Sequence, residues 1–247
     1  MTEECKAILD FIDCSHELLP GKSNLRGIAE RFNVLSEQGK ADGFYPLIII
    51  PSDTLVEALE IFLEDNGVEN LPESIAANRQ RVIESANEVD VRGFFSSRLE
   101  EVLDDYSDGD YDILGKFAQS APQTALGLHT LDYSPCEEVI IARIPARKPW
   151  ELAAWIPMGG FNDCPIPAVQ VAVFQYWHEK FGAIPAAVSF ETWEMVLSNP
   201  PLTEEDADML AKEHLAFCRD AVEQGAETIG NLAGSLVNST AWFFWWD

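Results

Sequence analysis

The sequence predicts an α+β fold, or a mixed α/β one: helices packed on a mixed β-sheet, with an aromatic C-terminal strand buried in the sheet. Three observations predict it. Short apolar, β-branched runs alternate with longer amphipathic stretches, the pattern of strands and helices that share a sheet. Capping residues precede the helical stretches and glycines follow them. The chain closes on Trp242-Phe243-Phe244-Trp245-Trp246-Asp247. Both pleat faces are aromatic there, so this strand is expected in the sheet's interior, covered on both sides.

The elements follow in order. Leu47–Ile50 lies between Pro46 and Pro51 and reads as a buried strand. Ser52 or Asp53 caps a helix from Thr54 to Asp65, with Leu55, Leu59 and Phe62 on one face and Gly67 past its end. Further helices are expected over Glu73–Asn87 and Ser97–Tyr106, then a turn over Ser107–Asp112. Val139–Ile144 is a strand, and Trp150–Ile156 fits either helix or strand. A proline after Ile166 starts a helix at Pro167, which ends at Phe181 before Gly182. On it Val169, Ala172, Val173, Tyr176 and Trp177 form the apolar face, with Gln170, Gln175 and His178 opposite. Ile184–Phe190 is a strand, and Trp193–Leu197 a strand or helical turn. Thr203 caps a helix running to about Arg219, with acids in the first turn, and another helix spans Thr228–Val237. The weakly patterned stretch Gln119–Ser134 divides an N-terminal α/β region, 1–130, from a C-terminal module, 137–247.

Composition narrows the function classes. The chain holds 16 Lys and Arg against 42 Asp and Glu, a net charge of −26. Residues 1–130 carry 25 acids and 10 bases and the remainder 17 and 6, so both halves are acidic. Such a field repels phosphate backbones, which excludes nucleic acid as a partner, and it attracts a basic protein. No apolar run reaches the ~20 residues of a membrane helix. The opening MTEECKAILD lacks the basic and apolar regions of a signal peptide. Five cysteines at wide spacings, with no CxxC, suit a reducing compartment. A cytoplasmic protein is expected.

The chemistry concentrates in the loop Gly159–Pro165. Paired glycines permit positive φ or close backbone approach, and Asn162 and Asp163 can bind backbone groups. Cys164 precedes a helix N-terminus, where the dipole would lower a thiol pKa. Cys164 as nucleophile, His178 as base and Asp163 beside them are the catalytic candidates. The competing reading is a structural turn over a buried thiol. Gly159, Gly160, Phe161, Asn162 and Trp177 are the binding candidates. The loop lacks the Lys and Ser/Thr of a phosphate-binding P-loop. His214 and Cys218 are spaced i, i+4, but further metal ligands are distant, so no metal is expected and His214 reads as a core histidine with one hydrogen-bond partner. Asp247, beside Trp245 and Trp246, is costly to bury without a cation. Arg143, Arg147 and Lys148 are its candidate partners. No cofactor is expected.

The segments IPMGGFNDCP, QYWHEKFGAIPAAVS, FCRDAVEQG and AWFFWWD occur in that order. Together they resemble a bacterial family described as domain of unknown function 4253, over about Glu137–Asp247. The resemblance implies a shared fold and a bacterial or related cytoplasmic protein, and it implies no activity. Relatives carry Tyr near His178 and at His214, which does not suit a general base or a metal ligand.

Three readings follow. The first is a non-enzymatic, acidic interaction protein that binds a basic partner, an immunity-type protein covering a basic toxin being one version. The second is a cysteine-dependent enzyme centred on Gly159–Pro165. The third is a small-molecule binding module in a cleft walled by Trp150, Trp155, Trp177 and Trp193.

Overall fold

A computed structural model describes residues 1–21, 24–107 and 111–247. One six-stranded sheet organises them, with strands β1 (His16–Pro20), β2 (Tyr45–Ile49), β3 (Glu138–Ile144), β4 (Ile184–Val188), β5 (Thr192–Val196) and β6 (Ala241–Trp245). Their spatial order is β1-β3-β2-β4-β5-β6. The β2–β4 pair is parallel and the others antiparallel, so the sheet is mixed and the fold is α+β. Helices α1 (Glu3–Ile12), α2 (Leu25–Asp42), α3 (Asp53–Asp65), α4 (Pro72–Ala86) and α5 (Val91–Asp105) come from the N-terminal region. The short α6 (Thr130–Tyr133) precedes β3, and α7 (Pro167–Phe181), α8 (Glu204–Phe217) and α9 (Ile229–Leu236) follow it.

Burial on both faces explains the apolar run in β2. Leu47 and Ile49 join a core with α1, α3, α7 and α8, while Ile48 and Ile50 join a second core beneath Ile28, Phe32 and Leu35 of α2. A central strand between two layers needs no polar alternation. The expected caps Ser52 and Thr203 form, accepting from the backbone N–H groups of Leu55 and Asp206, and Thr228, expected inside the last helix, caps it instead by accepting from the Asn231 N–H. Gly182 ends α7 with φ of 61°. The undecided stretch after Pro149 is a 3₁₀ turn, Pro149–Ala154, held by Glu151, whose carboxylate accepts from the Arg147 and Lys148 amides. The centre of the turn expected at Ser107–Asp112 lies outside the described residues.

Two expectations about placement are corrected. The C-terminal strand is an edge strand, not an interior one. Trp242, Phe244 and Trp246 are buried to 2% exposure or less, but Phe243 and Trp245 on the other face are only half-buried. Both faces are aromatic because one is core and the other is partly covered, which the sequence pattern alone does not distinguish from a central strand. Gln170 faces the core rather than solvent and is fully buried.

The stretch 119–134 packs against the C-terminal helices. Backbone N–H groups of Ala118 and Ser120 donate to the Gly230 and Gly234 carbonyls of α9. A Cβ on Gly234 would lie 1.9 Å from the Ala118 carbonyl oxygen, so glycine is needed for that approach. The buried carboxylate of Glu194 accepts from the amides of Gly127 (3.0 Å) and His129 (2.9 Å). The N-terminal region and the C-terminal module share one sheet, because β3 is inserted between β1 and β2.

Candidate functional site

The loop between the 3₁₀ turn and α7 is built around Gln170. Its Nε2 donates to the carbonyls of Met158 (2.8 Å) and Pro165 (2.7 Å), at the two ends of the loop. Its Oε1 accepts from the Trp193 indole at 2.8 Å. Inside this clamp the Gly160 amide donates to the Cys164 carbonyl and the Cys164 amide to the Phe161 carbonyl. Gly159 has φ of 117°, and a Cβ there would sit 2.3 Å from the Pro165 carbonyl oxygen. Asn162 and Asp163 both take positive φ, which short polar side chains tolerate better than most.

The clamp turns one side of the loop outward. A cleft of about 800 Å³ lies between it and the N-terminal helices. Gly159, Gly160, Phe161 and Ile166 form one wall, with Phe190 stacked on Phe161 at 4.6 Å and 7° between ring planes. Ile61 and Phe62 of α3 and Val82 of α4 form the facing apolar wall. Glu57, Asp65 and Arg81 supply the charges, two carboxylates to one guanidinium, and Asn78 and Ser85 add polar groups. Ile61 of α3 is 57% exposed and presents an apolar side chain to this cleft. A smaller pocket of about 360 Å³ lies across the loop beside Asn162 and Asp163, where Asp163 pairs with Arg98 at 3.2 Å.

The catalytic candidates are not brought together. Cys164 is 4% exposed, and its sulfur lies 3.8 Å from Met158 Sδ and 3.6 Å from Gln170 Nε2. Burial, and secondarily the neighbouring Cys218, push its thiol pKa well up. Desolvation therefore outweighs the helix-dipole effect that the sequence suggested. His178 stands in the last turn of α7, with Nδ1 3.0 Å from the Ala183 carbonyl oxygen and its ring against Trp150. Cys164 and His178 thus flank the two ends of a helix roughly 20 Å long.

Trp177 is a core residue, not a cleft residue. It is wholly buried, donates to Glu213 at 2.9 Å and stacks on Phe244. Trp193 and Trp155 are buried too, so the walls of the cleft are phenylalanine and isoleucine rather than tryptophan. Arg79 of α4 lies with its guanidinium 3.4 Å over the Trp155 ring, which ties α4 to the 3₁₀ turn, and burial lowers its pKa to about 10. His214 is buried, as expected of a core histidine, and among the described residues its Nε2 has no hydrogen-bond partner. It packs among Trp177, Trp242 and Phe244, while the Cys218 thiol donates to the Trp245 carbonyl at 2.9 Å. Arg143 pairs with Glu17 on β1, at the opposite edge of the sheet from Asp247. Among the described residues no group of three or more His, Cys, Asp or Glu is placed to hold a metal, and no helix is long and apolar enough to cross a membrane.

Sequence reasoning missed the cleft's other half, α3 and α4, and the clamp residue Gln170. The exposed Ile61, off the Leu55–Leu59 stripe, was the signal available for α3.

No curated protein and no solved structure matches the chain. A family model matches residues 140–247. The match starts within β3 and takes in the Gly159–Pro165 loop and α7, but β1, β2 and α1 to α5 lie outside it, so the cleft forms where the matched part meets the N-terminal helices. The C-terminal part of the chain carries the domain whose family is described as Domain of unknown function (DUF4253).

Proposed function

We propose that the protein is an acidic cytoplasmic interaction protein, and that the cleft between α3, α4 and the Gly159–Ile166 loop receives a segment of a basic partner protein. The observation that carries this reading is the cleft itself: an open apolar trough, partly walled by the exposed Ile61, with carboxylates outnumbering its one guanidinium. A basic segment with an apolar anchor complements both features, and the net charge of −26 speeds its approach. The enzyme reading is weakened because Cys164, its proposed nucleophile, is sealed beneath the loop.

The test is affinity capture by the full chain from its native host at low and high salt, with Ile61→Arg in parallel. Ile61 is exposed, so that variant keeps its fold. A basic protein held at low salt, released at high salt and not held by Ile61→Arg is the expected outcome. No basic protein at low salt, or equal capture by the variant, overturns the reading.

A second reading has one observation in its favour. The cleft's volume of about 800 Å³ falls in the range of small-molecule pockets. Thermal-shift screening against nucleotides and sugars tests it; a flat response leaves the protein partner.

A further inference from the structure

The geometry points to a second binding site, for an organic ammonium ion, on the outer face of the edge strand β6, walled by Phe243, Trp245 and Tyr133 and charged by Glu191 and Asp247. These five residues line an open pocket of about 440 Å³. The inference goes beyond the proposed function and does not depend on it.

The aromatic wall follows from the edge position of β6. Alternation sends Trp242 and Phe244 into the core and leaves Phe243 and Trp245 on the opposite face. Their rings stack at 5.4 Å and 19° and stay half-exposed, with Tyr133, 55% exposed, beside them. Two carboxylates face this wall. Glu191 sits in the β4–β5 turn, fixed against β6 because its carbonyl accepts from the Trp246 amide at 3.1 Å. The Asp247 backbone amide donates to the Asp220 carboxylate at 3.0 Å, which fixes that residue on the other side. Among the described residues neither Glu191 nor Asp247 forms an ion pair with Lys or Arg. Partial burial, and after it the charge of Asp247, raise the Glu191 pKa, so the two acids repel each other across the cavity.

Ligand chemistry is then decided by elimination. An anion meets two like charges. A neutral apolar ligand would desolvate the carboxylates without compensation. A hard metal ion needs a shell of oxygens, and three of the five walls are aromatic. A substituted ammonium ion satisfies both halves of the cavity, its charge facing the carboxylates and its carbons against the ring faces, as in aromatic cages.

The experiment titrates the full chain with tetramethylammonium chloride, at ionic strength held constant with sodium chloride, and follows the probe's methyl resonance by NMR. Saturable binding is expected, with Glu191→Gln and Trp245→Leu each weakening it roughly tenfold. Binding of choline without binding of its uncharged carbon analogue, 3,3-dimethylbutanol, is also expected. Choline binding more tightly than N-acetyl-trimethyllysine methylamide assigns a free small-molecule ammonium ion as the natural ligand; the reverse order assigns a side chain of a protein. Trp245 touches Gly225, so Trp245→Leu can perturb folding; the half-exposed Glu191→Gln then decides. Ile61→Arg should bind the probe unchanged, which separates this site from the cleft. Absence of saturable binding, or undiminished binding by Glu191→Gln, overturns the proposal.

Discussion

Gln170 and Trp193 are joined by a buried hydrogen bond of 2.8 Å that couples the Gly159–Pro165 loop to the start of β5. The same carboxamide donates to Met158 and Pro165, so three polar groups depend on one side chain. Gln170→Leu keeps most of the volume but leaves the Trp193 N–H and two carbonyls unpaired, at a cost of roughly 2–4 kcal/mol. Gln175, five residues on, bonds the exposed Glu179. Gln175→Leu should change stability by less than about 0.5 kcal/mol. Urea midpoints of the two variants check the contrast; similar midpoints would remove Gln170 as the clamp.

The raised pKa of Cys164 predicts a protected thiol. In the native protein at pH 8 its alkylation by iodoacetamide should be at least about tenfold slower than that of a model thiol, becoming fast only in denaturant. Mass spectrometry of the peptide containing Cys164 reads both rates. Native labelling at the model rate would restore the cysteine as a nucleophile.

How far the site was legible in the sequence is seen in α7. Its limits, Pro167 and Gly182, follow from backbone rules local to a few residues, and the structure has them where those rules put them. Its faces were harder to read. Gln170 looked solvent-facing because side-chain polarity is a poor guide where a buried loop supplies carbonyls to satisfy it. Strand order was not legible either. Nothing local in Trp242–Trp246 distinguishes an edge covered by a π-helical turn, Ala221–Ala226, from a central strand. In the N-terminal region, α1 and α2 carry a readable signal, with Cys5, Ile8 and Ile12 on one face of the first and Ile28, Phe32 and Leu35 on one face of the second. The edge strand His16–Pro20 carries none, since its burial does not alternate.

His214 predicts an acid-labile core. Burial among aromatic rings holds its pKa at about 3, against 6.5 for an ordinary histidine. The unfolded chain therefore binds a proton that the folded protein refuses. Stability from this residue is full above pH 6.5 and falls with pH by about 1.4 kcal/mol per unit towards pH 3. His214→Phe suits the surrounding rings and removes this dependence. Unfolding free energies between pH 7 and pH 4 should therefore fall more steeply in the wild type than in the variant. Parallel slopes would mean that the histidine is protonated in the folded state.

The two glycines of the loop predict opposite outcomes for the same substitution. A Cβ on Gly159 meets the Pro165 carbonyl oxygen at 2.3 Å and Gln170 Nε2 at 2.5 Å, in a backbone with φ of 117°. Neither contact can yield without breaking the clamp, so Gly159→Ala should cost about 3 kcal/mol or more. At Gly160 the nearest atom is Ile166 Cγ2 at 3.8 Å, and the side chain would project towards the cleft. Gly160→Ala bears only the strain of its φ of 81°, roughly 1–2 kcal/mol. Thermal denaturation should therefore separate the two variants clearly. Gly160→Ala should still fold while narrowing the cleft, so its affinity for the basic partner tests that surface independently of Ile61. A folded Gly160→Ala that binds the partner as the wild type does would move the interface away from the loop.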